Sequence, residues 1–68
     1  MNSNIKEYRT DRLVKLDLVN ITLTDSISMA DLNTKWHSLA WLKKQLKILG
    51  FTIHDTYTHG NFVTVYFK

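Results

Sequence analysis

Residues 39–53 read Leu39-Ala40-Trp41-Leu42-Lys43-Lys44-Gln45-Leu46-Lys47-Ile48-Leu49-Gly50-Phe51-Thr52-Ile53. Leu39, Leu42, Leu46 and Leu49 recur at 3-4-3 spacing, which gathers them on one stripe of an α-helix. At about 100° per residue, Lys43, Lys44 and Lys47 fall on the side away from that stripe. Trp41 and Ile48 share a third face. Gly50 ends the helix, because glycine enters the left-handed region without a Cβ clash. The spacing predicts a helix over 35–49, with Trp36 at its start as core or staple.

Beyond Gly50 the pattern changes period. Phe, Tyr, Val, Ile and Thr fill 12 of the 17 positions from 51 to 67, a composition that suits a pleated surface. A hairpin over 51–57/62–68 is expected. A three-residue loop Thr58-His59-Gly60, with Gly60 left-handed, pairs Tyr57 with Asn61. Phe51, Ile53 and Tyr57 then share a face with Val63, Val65 and Phe67. Thr52, His54, Thr56, Phe62, Thr64 and Tyr66 take the other face.

Upstream of the helix the signals are shorter. Ser28-Met29-Ala30-Asp31 has the spacing of a capping box with Asp in place of Glu, so a short helix is expected over 28–34. Ile21-Thr22-Leu23-Thr24 reads as a brief strand, 21–24. Residues 4–19 fit two patterns. As a helix, Ile5, Tyr8, Leu16 and Val19 form a stripe and Asn4 with Glu7 caps it. As a strand, Val14, Leu16 and Leu18 alternate. The order is therefore that of a small α+β domain. The alternative is ββαββ, with one helix on an antiparallel sheet.

Sixty-eight residues without cysteine or proline make one domain, 1–68, with no disulfide and no Cys-based metal site. Leu39-Ala40-Trp41-Leu42 is the longest apolar run, too short for a membrane span. Residues 1–12 are polar and charged, unlike a signal peptide. The expected compartment is the cytoplasm. The net charge of +3 is unevenly placed. Residues 1–34 sum to −1 and residues 35–68 to +4, and no acidic residue lies between Asp31 and Asp55.

The run Leu39-x-x-Leu42-x-x-x-Leu46-x-x-x-Gly50-Phe51-x-Ile53 resembles a recognition helix leading through glycine into the wing of the winged helix-turn-helix superfamily. The likeness covers roughly residues 28–68. It implies a small DNA-binding regulator of transcription, recombination or replication, with its helix in the major groove. His37, Ser38, Trp41, Lys44 and Gln45 would face bases or phosphates, and Lys43 and Lys47 the backbone. His59 and Asn61 at the wing tip would reach an adjacent phosphate or the minor groove. A homodimer would supply the contacts that one copy lacks.

A second reading comes from the aromatic residues. Trp41, Ile48, Phe62 and Tyr66 suit an interface on which a larger host protein docks. A short chain rich in Lys, Ile, Asn and Thr fits an inhibitor of phage or mobile-element type. Catalytic signals are lacking. Glu7 is the only glutamate, and Gly50 and Gly60 are the only glycines, so no phosphate loop is present. The helix–Gly-Phe–hairpin run is also similar to the mRNA-cleaving toxins of the HicA type. Where that family has Gly-Ser-His, this chain has Thr58-His59-Gly60-Asn61, so no enzyme is inferred. His54, Asp55 and His59 make a poor metal set, and no metal or cofactor is expected.

Overall fold

The computed structural model describes residues 11–68. Residues 11–13 are helical and run into a 3-10 turn at Val14–Leu16. Asp17, left-handed at φ 55°, ends that turn and directs the chain into the sheet. Four strands follow, β1 (Val19–Thr22), β2 (Ser28–Asn33), β3 (Ile53–His59) and β4 (Phe62–Phe67). One helix, α1 (Leu39–Ile48), connects β2 to β3. The sheet is antiparallel throughout, in the order β1-β2-β4-β3. The described chain is therefore a two-layer α+β domain, one helix on one face of a four-stranded sheet.

Alternation along β2 and β4 decides what α1 covers. Ser28, Ala30 and Leu32 pair with Phe67, Val65 and Val63, and all six are buried. Leu42 and Leu46 of α1 close on them with Leu13, Leu16 and Phe51. Leu39 and Leu49 flank the stripe, so the 3-4-3 leucine spacing is the core face of the helix. Phe51 meets Phe67 edge to face at 5.3 Å, a preferred aromatic geometry.

Ser38 is the N-cap of α1, its hydroxyl accepting from the Trp41 amide at 3.1 Å. The helix starts four residues later than the expected 35. Asn33 accounts for this: its side-chain oxygen accepts from the Lys35 amide at 2.9 Å and its carbonyl from Trp36 at 3.0 Å. The resulting turn precedes the cap and leaves Trp36 61% exposed, neither core nor staple. At the other end Gly50 turns at φ 91°, and the Phe51 amide donates to Leu46 O. Arg12 Nη1 donates to Leu49 O at 2.9 Å, a cation on the negative end of the helix dipole.

Several expectations are corrected. The segment expected as a helix, 28–34, is strand β2, with alternating burial. The strand expected at 21–24 lies at Val19–Thr22, with a register shift and Asn20 left-handed at φ 53°. The hairpin turn is Gly60-Asn61, because His59 pairs with Phe62. Gly60 has φ 60° and Asn61 is not left-handed, the sign pattern of a type II′ turn. The bulge sits instead at His54, between the pairs Ile53↔Phe67 and Asp55↔Tyr66. It moves Thr56 to the helix side opposite Val65 and Tyr57 to the other face opposite Thr64. The reading of 4–19 is settled only from residue 11, where the chain is helical and then a strand from Val19. Asn4, Ile5, Glu7 and Tyr8 lie outside the described residues.

Candidate interaction site

The two ends of the sheet carry different groups. Thr34 binds Asn61 O through its amide and its hydroxyl, so the start of α1 lies at the hairpin tip. Thr52 and Lys68 exchange two backbone bonds, which puts the end of α1 at the opposite end. Lys43, Lys44 and Lys47 are exposed on the outer face of α1, and none pairs with an acid among the described residues. Lys43 and Lys47, one turn apart, overhang a cleft of about 470 Å³ floored by Phe51, Thr52 and Ile53. This cleft runs between α1 and the beginning of β3.

β3 is an edge strand, and among the described residues nothing pairs with its outer side. Since His59 and Phe62 close a two-residue turn, they form a hydrogen-bonded pair. Alternation then makes Tyr57↔Thr64 the next such pair, and turns the N–H and C=O of Thr56 and Thr58 outward. The Thr56 amide is accordingly taken by Asp55 Oδ1 at 2.8 Å, not by β4. The other edge, β1, is shorter and distorted at Asn20, features that blunt an edge.

The sheet face away from α1 holds a polar cluster. Thr64 Oγ1 donates to Asp31 Oδ1 at 2.5 Å, and His59 Nε2 lies 2.7 Å from the same hydroxyl. Asn20 Nδ2 donates to Asp31 Oδ2 at 3.0 Å. The Thr64 hydroxyl holds the Asp31 carboxyl below its ordinary value of 3.8; partial burial opposes this, and Asn20 and the nearby His59 ring assist it. Tyr57, His59 and Phe62 stand as a row of near-parallel rings, at 5.5 Å and 6.3 Å. A second hollow of about 430 Å³ on this side is lined by Ile27, His54, Asp55, Tyr57 and Tyr66.

The structure thus divides the residues that the DNA reading groups together. Lys43, Lys44 and Lys47 lie on the helix, and His59 on the opposite face of the sheet, in the Asp31 cluster. His37 stacks on Trp41 at 3.8 Å and reaches Asp17 Oδ2 at 3.0 Å. With Ser38 it secures the start of the helix. Gln45 is half-buried, and Asn61 is exposed in the turn. Of the four residues of the interface reading, Trp41 and Ile48 are on the helix, Ile48 being 67% exposed, while Phe62 and Tyr66 are half-buried on the open face. Asp31, Thr56, Thr58 and Thr64 join the candidate site without a motif or spacing that marks them as functional. Of the inward set Ser28, Ala30 and Leu32 only Leu32 is large and apolar, so no alternation marks Asp31 on the strand's other side.

No protein-family model matches the chain, and comparison with curated proteins and with solved structures gives no match. Among the described residues no three His, Cys, Asp or Glu side chains form a group that could hold a metal ion. No helix among them is long and apolar enough to cross a membrane.

Proposed function

We propose that this chain is a small non-enzymatic interaction module that docks on a larger protein. The observation that carries the reading is the outer edge of β3, unpaired among the described residues, beside a cleft overhung by Lys43 and Lys47. An open strand edge offers backbone donors and acceptors to a partner chain, and an adjoining cleft selects its side chains. The open face adds two half-buried aromatic residues, Phe62 and Tyr66, of the kind that anchors interfaces.

DNA binding is the second reading, with the winged-helix likeness of 28–68 behind it. It draws on Lys43, Lys44 and Lys47, which have no acidic partner among the described residues. Strand β2 in the place of the second helix weighs against it.

The test pairs two measurements. The immobilised chain is used to capture proteins from a lysate of the source cell, with Lys43, Lys44 and Lys47 changed to Glu in parallel. Short mixed duplex DNA is titrated at about 50 and about 200 mM salt, across which a phosphate-driven binder loses affinity steeply. A stoichiometric protein complex that persists at the higher salt supports the module. DNA binding that disappears at the higher salt and in the lysine variants, with no protein complex, transfers the conclusion to DNA.

A further inference from the structure

We propose that β3 receives an extended acidic segment of the partner as a fifth strand, its carboxylates lying beneath Lys43 and Lys47. The proposal rests on the interaction-module reading and names the partner chemistry.

Thr58 turns its N–H and C=O to the open edge and Thr56 its C=O, while the Thr56 N–H is held by Asp55. A strand docked there pairs with these groups and lies roughly 4.8 Å from β3. About five residues of it span from Thr58 to the cleft, at about 3.3 Å each. β3 carries no lysine and no proline, and the bulge at His54 with the Asp55 carboxylate narrows its open stretch to Thr56–Thr58.

Side-chain chemistry then selects the occupant. On β3, Ile53, Thr56 and Thr58 face the helix side. An added strand places alternate side chains on that same side, towards the cleft. There they meet two ammonium groups with no described acidic partner and an apolar floor of Phe51 and Ile53. A segment with Glu at these inward positions satisfies both, its carboxylates meeting the ammonium groups and its methylenes lying on the apolar floor, while Val at the alternate positions favours the extended strand. A second copy of this chain does not: the one carboxylate of its β3, Asp55, belongs to the other face, opposite Tyr66. Asp55 is also the group such a partner must move, since its carboxylate occupies the Thr56 amide and repels an acid.

The experiment titrates a synthetic seven-residue peptide, Glu and Val alternating, into the isotopically labelled protein and follows backbone amide shifts. Its Gln counterpart and a version N-methylated at alternate residues are run beside it. Expected are shifts along Ile53–His59 and at Lys43 and Lys47, lost with either control peptide. Changing Lys43 and Lys47 together to Glu lowers affinity at least about fivefold, and Asp55→Ala raises it a few fold. These variants alter exposed side chains, so the fold is retained and read directly from the spectrum. Equal binding of the Gln peptide, shifts on α1 without β3, or no binding overturns the acidic-strand proposal. In each case a protein complex from lysate that persists at higher salt leaves the module reading standing. Duplex DNA that moves Lys43, Lys44 and Lys47 alone, with no such complex, overturns both.

Discussion

Beneath α1, the sheet presents Ala30, Leu32, Val63, Val65 and Phe67, each at most 2% exposed. The same two strands present Met29, Asp31, Asn33, Phe62, Thr64 and Tyr66 on the other side, and of these only Thr64 is buried. Hydrophobic burial on the first face supplies most of the stability. The second face is held by specific polar bonds, which set register more than they add free energy. Among the described residues only the first face is covered, which leaves a face and an edge of the sheet open. The largest test of this contrast is Leu46→Ala against Tyr66→Ala. Leu46 is fully buried, and its truncation is expected to cost about 2–5 kcal/mol, most of the total for a domain this small. Tyr66→Ala is expected to cost about 1 kcal/mol or less. Urea denaturation followed by circular dichroism reads both, and equal losses would abolish the distinction between the faces.

The turn that joins β3 to β4 sets which side chains reach each face. Gly60 at φ 60° has nothing within 4 Å of an added Cβ. Gly60→Ala therefore meets no clash and costs about 1–2 kcal/mol, from the left-handed backbone alone. A smaller loss together with broadened amide signals in β3 would mean that the hairpin has slipped to a three-residue loop.

That slip is the error the sequence invites. Glycine suits both the bulge position of a three-residue loop and the first position of a type II′ turn. Residues 58–61 do not choose between them, and both loops leave Val63, Val65 and Phe67 on one face; what differs is which β3 residues stand opposite, here Thr58, Thr56 and Ile53. The bulge at His54 has no local signature either. The helix was legible because four leucines at helical spacing have no other use. Strand β2 was hidden because two of its three inward residues, Ser28 and Ala30, are too small to read as apolar. The same Ser28 at capping-box spacing suggested a helix, whereas its hydroxyl accepts from the Thr24 amide across the preceding turn. The lysines of the candidate site could be read from charge alone. The edge they overhang could not, because strand order is decided by how α1 crosses the sheet.

On the open face, Thr64→Val tests whether the polar cluster contributes stability. The change removes the donor to Asp31 and the acceptor for His59, at an expected cost of about 1 kcal/mol near neutral pH. The sign with pH follows from Asp31, whose folded carboxyl titrates below its ordinary 3.8. Its contribution is complete above 3.8 and is lost as pH falls through the lower folded value. The gap between wild type and Thr64→Val should therefore narrow as pH drops below 3.8. A gap independent of pH would assign the loss to packing, making Thr64 part of the covered face in all but position.

The smallest expected effect is on the helix. Lys43→Glu should leave stability within about 0.5 kcal/mol, since the ammonium has no described acidic partner. Lys47→Glu should cost slightly more, because it sits in the last turn of α1, where the dipole favours a cation by about 0.3–1 kcal/mol. Both should leave the amide spectrum of the core unchanged. The informative failure is a loss above about 2 kcal/mol, beyond what an exposed charge explains. The lysine stems would then be acting as apolar cover for Phe51 and Ile53. The cleft would in that case belong to the core, and β3 would offer a partner only its backbone.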